Sequence, residues 1–247
     1  MKNKILLLSD DIRGSSGVSH ISKSIITGLA SKFDWVQLAA MRQHPESNTI
    51  VDVSKSVSQI SGVNDCYVRL YPSSGYGNEI SLKNIIDMES PSAILHMSDP
   101  RNFTWLYDMD IDIRKNIPIC YYHVWDNHPT PIFNDYIYKS CDWIGAINKI
   151  TETFVHRISD GEVDVSYVPH GVSNDIFKKI NSDISLYKKN ILGDIDYDFV
   201  IFANNVNIPR KQLPTLIEAV GEFSNKTQNA KICLLIHNNP SSVSSEN

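Results

Sequence analysis

The feature that most restricts the fold of this chain is an alternation. Short apolar runs recur along the sequence, and stretches with helical spacing lie between several of them. The runs are "KILLLS" (4–9), "WVQLAA" (35–40), "CYVRLY" (66–71), "AILHMS" (93–98), "PICYYHVW" (118–125), "DWIGAI" (142–147) and "VSYVPHG" (165–171). Strands that alternate with helices pair in parallel, because a helical crossover is what returns the chain to the same end of a sheet. The first run is apolar from Ile5 to Leu8 and has no polar face to turn to water, so it belongs in the middle of a sheet covered on both sides. Val18, Ile21, Ile25 and Leu29 mark the helix after it. Asn148 is placed to cap a later helix that carries Ile150, Phe154 and Ile158 on one stripe. The expected fold is α/β, a doubly wound parallel sheet.

This pattern lapses near residue 177. Residues 178–197 are polar and mixed in charge and read as a linker. A strand, "FVIFANN", then opens a second domain, followed by a helix over 210–222 with Leu213, Leu216, Ile217 and Val220 inward, and by "KICLLIH". The expected division is thus 1–177, 178–197 and 198–247. Two strands and one helix cannot cover both faces of a sheet, so the second domain is expected to be incomplete. Either the chain is truncated in this domain, or the missing half is expected from a complementing chain or a homo-oligomer. The closing "NNPSSVSSEN" reads as a loop or tail.

Composition removes several function classes. No apolar run approaches the eighteen or so residues that cross a bilayer, and the apolar start "ILLL" meets two aspartates too soon for a secretory signal. A cytoplasmic protein is expected. The four cysteines lie far apart with no metal-ligand rhythm and read as core thiols. A net charge of −5 offers no broad basic face for nucleic acid.

Several segments carry candidate chemistry. "RGSSGV" (13–18) places glycine at a helix start, where backbone N–H groups and the helix dipole favour an anion; a plain flexible turn accounts for the same residues. It is not the glycine pattern of a dinucleotide fingerprint. Arg210 and Lys211 follow Pro209 at a predicted helix start, a poor place for cations unless an anion binds there or both side chains run out into solvent. In "CYYHVWDNHPTPIFNDY", His123 and Asp126 come at a strand end, the edge of a parallel sheet where ligands bind. Asp99 and Arg101 hold the equivalent place in "LHMSDPR", with a loop cap or surface ion pair as the alternative. His123, Asp126 and His128 as metal ligands would lie on an irregular loop, which disfavours a metal site. His96, inside an apolar run, reads as a satisfied core histidine.

Taken in order, these segments resemble the retaining GT-B glycosyltransferases of family 4, which use nucleotide-sugar donors. Ser16-Gly17-Val18 matches the small-residue loop of the Rossmann-like acceptor domain, and Pro169-His170-Gly171-Val172 with Phe177 matches the hinge. Asn204 to Lys211 matches the segment whose basic residues hold the donor diphosphate, with Asn205 where the family has its first arginine. Ser98 stands where that family often has a histidine, so His123 becomes the candidate cleft histidine. The family's acidic E-x7-E segment and nucleobase pocket have no counterpart up to Asn247.

The resemblance implies a GT-B fold and transfer of a hexose-like group, with retention, from a nucleotide-sugar to an unknown acceptor. It implies Asp99, His123 and Asp126 as catalytic-site residues, and Ser16, Gly17, Asn205, Arg210 and Lys211 as diphosphate-binding residues. No metal or cofactor is required if the cations neutralise the leaving group. The 247-residue chain alone is expected to be inactive. A non-catalytic or split-subunit module that binds nucleotide-sugar or glycan is the alternative, and a regulatory nucleotide-binding module has support only at the level of the fold.

Overall fold

The computed structural model describes residues 2–125, 127–227 and 229–238. These fall into two compact units, one reaching Val172 and the other starting at Ser173.

The first unit runs β1 (Asn3–Asp10), α1 (Gly17–Leu29), β2 (Phe33–Met41), β3 (Val51–Asp52), α2 (Ser54–Ser61), β4 (Val68–Ser74), α3 (Glu79–Glu89) and β5 (Ala93–Met97). It continues with α4 (Thr104–Asp108), α5 (Asp110–Ile113), β6 (Ile119–His123), α6 (Asp135–Lys139), β7 (Trp143–Ala146), α7 (Lys149–Ile158) and β8 (Asp164–Tyr167). All eight strands form one sheet in the order β3-β4-β2-β1-β5-β6-β7-β8. Every pairing is parallel except that of β3 with β4. This is the Rossmann-like doubly wound sheet expected from the sequence.

Strand β1 shows why the sheet is covered on both faces. Leu6 and Leu8 enter one core with Val36, Leu38, Ile94 and Tyr121, whereas Leu7 enters the opposite core with Ile26, Trp35, Ala39 and Leu70. The period of two along a strand sends neighbouring side chains to opposite faces, and here both are apolar. Helix α1 closes the second core through Ile26, with Val18, Ile21, Ile25 and Leu29 packed at its margin and the small Ser19 and Ser22 buried against the sheet. Asn148 caps α7 as expected, its Oδ1 accepting from the Thr151 N–H. The two-residue β3 has no periodicity by which sequence could announce it.

The sheet also contains a topological switch. The chain leaves β1 toward β2 and β4 on one side, then resumes with β5 and β6 on the other. The crossovers diverge there and leave a crevice outside the carboxyl ends of β1 and β5.

The second unit contains α8 (Ser185–Leu192), β9 (Phe199–Asn204), α9 (Leu213–Lys226) and β10 (Ile232–His237). Its two strands pair in parallel, the β-α-β expected. A helix, α8, occupies part of the segment 178–197 that reads as a linker. Among the described residues of this unit only Ala203, Ile208 and Leu213 are buried hydrophobics, and Phe199, Phe202 and Ile217 are exposed. Ile217 therefore does not face inward as its spacing suggests. The helix also begins later than expected: Pro209–Lys211 is a separate 3-10 turn, ended by Gln212 in the left-handed region at φ 51°. Arg210 and Lys211 thus lie in the last turn of that short element, where cations suit the exposed carbonyls.

Candidate functional site

The crevice at the switch point holds a cavity of about 330 Å³. Its walls come from residues that end or follow parallel strands. Asp10 ends β1, Ser98 and Asp99 follow β5, and His123, Val124 and Trp125 end and follow β6. Tyr76 comes from beyond β4, and Phe133 and Asn134 precede α6. Placement at strand ends is what brings together residues more than a hundred positions apart.

The structure brings Asp99 and His123 to this one cavity, as the strand-end argument expects. Gly17 is near its edge in sequence, its neighbour Val18 being a lining residue. Asp126 lies outside the described residues. Ser16 and Gly17 belong to the first unit, and Asn205, Arg210 and Lys211 to the second.

Asp99 carries the cap and ion pair that its sequence context allowed. Its carboxylate accepts from the Arg101 backbone N–H at 3.0 Å and from Arg101 Nε at 3.0 and 3.1 Å, which starts the 3-10 turn Pro100–Phe103. The Arg101 hydrogen bonds, against the opposing effect of burial, hold this carboxyl below the usual range. Asp99 is ionised, and its charge is largely answered by Arg101.

His123 is buried, and both ring nitrogens are engaged. Nδ1 is 3.0 Å from the Tyr121 hydroxyl and Nε2 is 2.6 Å from the Tyr138 hydroxyl. Burial pushes its pKa down to about 3, so the ring is neutral at physiological pH. It forms a hydrogen-bonded wall and holds no loosely bound proton. His96 lies one strand over, stacked on Tyr121 with centroids 5.0 Å apart. Its Nδ1 is 2.6 Å from the Tyr107 hydroxyl, while Nε2 has no partner among the described residues. It is a core histidine, as expected, but only half satisfied. Burial, with a smaller contribution from His123, brings its pKa to about 3.

The β1–α1 loop is fixed by its own polar residues. Ser16 caps α1 by accepting from the Ser19 N–H at 3.0 Å, and its hydroxyl donates to Asp10 Oδ2 at 2.6 Å. Gly17 opens the helix with free space where a Cβ would stand, so the backbone is approachable there. Asp11 is fully buried and accepts from the Arg13 guanidinium at 2.7 Å, with His44 Nε2 at 2.8 Å. Burial opposes its ionisation, but the hydrogen bonds from Arg13 and His44 outweigh it and lower the Asp11 pKa.

Sequence reasoning missed Asp10, Tyr76, Trp125, Phe133 and Asn134. Asp10 obeys the rule that selected Asp99, since it is the last residue of a central parallel strand. Tyr76 and Phe133 carry no local signal; only the folded sheet shows that loops 75 and 130 residues into the chain share a cavity with Asp10.

In the second unit Asn205 follows β9 directly, and Asn204 Oδ1 contacts His237 Nδ1 at 3.0 Å. Arg210 and Lys211 are exposed. Among the described residues, the ion pairs of this unit are Lys189–Asp194 and Lys226–Glu222, which leaves both cations without a carboxylate partner. The four cysteines are free. Among the described residues no group of His, Cys, Asp and Glu side chains is arranged to hold a metal, and no helix is long and apolar enough to cross a membrane.

No protein-family model matches the chain, and no curated protein matches it. Solved structures do. Alr3699/HepE of Anabaena, in complex with UDP-glucose, superposes with a TM-score of 0.60 at 14% identity, over 94% of this chain and 68% of that one. The same protein in complex with UDP and glucose gives 0.58 at 13% identity, over 95% and 69%. UDP-GlcNAc 2-epimerase from Neisseria meningitidis, bound to UDP-GlcNAc, gives 0.51 at 11% identity, over 97% and 66%. At these identities the likeness concerns the fold, which is of the GT-B type.

Proposed function

We propose that this chain belongs to a nucleotide-sugar-using glycosyltransferase, with the first unit on the acceptor side and the second starting the donor side. The observation that carries the reading is the cavity at the β1/β5 switch point of a GT-B-type sheet, together with structural neighbours captured with UDP and UDP-sugars. The reaction is transfer of a hexose-like group with retention, as the sequence resemblance implies. The 247-residue chain alone is proposed to bind without turning over, because the described residues of its second unit provide one β-α-β and few buried side chains.

The chemistry assigns tasks by charge. Negative charge develops on the leaving diphosphate in the transition state, and fixed cations lower that barrier most where they need not be reorganised. Arg210 and Lys211, unpaired among the described residues, are the cations of the second unit suited to this, with Asn205 as a neutral donor beside them. They make a metal unnecessary in this reading. In the first unit the start of α1 at Ser16 and Gly17 presents N–H groups compatible with an anion. Asp99 and Asp126 are proposed to orient hydroxyl groups, and His123, neutral and doubly hydrogen-bonded, to position rather than to transfer a proton.

A binding module without catalysis is the second reading, favoured by the engagement of both His123 ring nitrogens and of Asp99. The two are separated by measuring UDP binding and UDP-sugar consumption on the polypeptide that carries the complete donor side. Lys211→Ala should weaken donor use by about 1.5–3 kcal/mol, the range for a hydrogen bond to a charged group. Unchanged kinetics in that variant would remove the chemical support for the donor assignment, and UDP binding without sugar transfer would favour the module.

A further inference from the structure

The cavity of the first unit has a composition that selects its occupant. Resting on the acceptor-side reading above, we infer that it receives an uncharged saccharide, held by aromatic faces and by side chains that exchange hydrogen bonds with hydroxyl groups.

Aromatic residues supply the first part of the argument. Tyr76, Tyr121, Trp125 and Phe133 all line the cavity. Trp125 and Phe133 meet edge to face with centroids 5.8 Å apart, and Tyr76 meets Phe103 in the same way at 5.4 Å. Tyr76 and Phe133 are exposed where they line the cavity, which leaves ring surface available to an occupant. Trp125 is anchored from behind: its carbonyl accepts from Asn148 Nδ2 at 3.5 Å and from the Thr151 hydroxyl, both at the start of α7. These bonds fix the backbone at Trp125, and its ring Nε1–H donates to the Asn127 carbonyl, which restrains the ring itself. Aromatic faces carry negative charge density, and the axial C–H groups of a pyranose carry the complementary positive density.

Polar groups supply the second part. Asn134 is buried in the cavity wall with its Nδ2 3.4 Å from the Tyr138 hydroxyl, and the other end of its amide has no partner among the described residues. An orphaned buried polar atom is costly, and a hydroxyl, which donates and accepts, satisfies either end of an amide. Asp10 Oδ2 accepts from Ser16, which leaves acceptor capacity on this carboxylate for a second hydroxyl.

Charge then narrows the class. Among the described residues the cavity is lined by two carboxylates, Asp10 and Asp99, and by one cation, Arg101, which Asp99 already engages through its side chain. The balance of these described residues is one negative charge. Burial, assisted by both carboxylates, raises the Tyr76 pKa, which places this hydroxyl within their field. Phosphorylated or carboxylated acceptors, anionic lipid headgroups and nucleic acid would meet repulsion without an unengaged cation to answer it. Neutral hydroxyl groups find acceptors.

The test uses the 247-residue chain and saturation-transfer NMR, with methyl glycosides of glucose, galactose, mannose and N-acetylglucosamine and their β1,4-linked disaccharides. Methyl glucuronide, glucose 6-phosphate, anionic phospholipid vesicles and a single-stranded oligonucleotide serve as the charged set. At least one neutral glycoside should bind, its glucuronide or phosphate counterpart at least tenfold more weakly. Trp125→Ala should abolish that binding and Trp125→Phe should restore part of it, which separates loss of a stacking face from loss of fold. Asp10→Asn should narrow the gap between neutral and anionic ligands. Binding of a charged probe as tight as the neutral one, silence across the neutral set, or indifference to Trp125→Ala would overturn the inference. UDP binding is measured in parallel on the polypeptide with the complete donor side. UDP-sugar consumption there without saccharide binding overturns only this inference, whereas saccharide binding without UDP binding overturns only the transferase reading.

Discussion

Replacing Glu89 should unfold the first unit more readily than any change at the cavity. This carboxylate ends α3 at the opposite end of the sheet from the cavity, and it is 4% exposed. It accepts from Lys4 Nζ, the Tyr67 hydroxyl and the Tyr71 hydroxyl, each at 2.7 Å, with Arg69 at 3.5 Å. Burial opposes its ionisation, yet the hydrogen bonds from Lys4, Tyr71 and Tyr67 together lower its pKa below 4.5. Burial, together with the hydrogen bond to Glu89, pushes the Tyr67 pKa up to about 12. Glu89→Ala leaves the ammonium and two hydroxyls facing a void, and breaking a buried pair costs about 3–5 kcal/mol. The lower end is expected, because Lys4 and Tyr67 are only half-buried and can recover water. Glu89→Gln keeps one acceptor oxygen and should cost about 1–3 kcal/mol. All four tryptophans, Trp35, Trp105, Trp125 and Trp143, lie in the first unit, so urea unfolding followed by tryptophan fluorescence reports on this unit alone. The sign of the pH effect follows from linkage. A carboxyl with a depressed folded-state pKa gives full stability above its unfolded value and loses it as pH falls through the folded one. The contribution of Glu89 is therefore complete at neutral pH and declines below about pH 4.5, a decline that Glu89→Gln should remove. A loss under about 1 kcal/mol for Glu89→Ala, or the same acid response in wild type and Glu89→Gln, would refute the reasoning.

The buried histidines act in a higher pH window. His96 and His123 are held near pKa 3 by burial against 6.5 when free, so the unfolded chain takes up their protons first, and stability should fall as pH drops from about 6.5. Imidazole NMR shifts of both rings should stay those of the neutral form at pH 5.5, and a protonated ring there would contradict the packing described. In sugar transfer by the polypeptide with the complete donor side, EDTA should leave the rate unchanged, because the proposed neutralising charges belong to Arg210 and Lys211; abolition reversed by a divalent cation would reassign that task.

Strand positions were legible wherever burial on both faces forced a run of apolar residues, as in β1, and wherever a cap fixed a helix start, as at Asn148. Contacts that close over long sequence distances were not. The Asp11–His44 pair spans 33 residues and the Asp10–Tyr76 proximity 66, and nothing local to either residue signals its partner. Asp10 and Asp11 also show a limit of reading by residue type. Neighbouring carboxylates at one strand end have different surroundings: Asp10 ends β1 and lines the cavity, whereas Asp11, the first residue after the strand, is a structural group buried against Arg13 and His44. The helix start expected at Arg210 and Lys211 was misplaced for a different reason. The break between them and α9 depends on the left-handed backbone of Gln212, a conformation that glycine or asparagine would have signalled and glutamine does not. The proposal that they bind diphosphate therefore rests on charge without a carboxylate partner among the described residues, and not on the helix start that the sequence suggested.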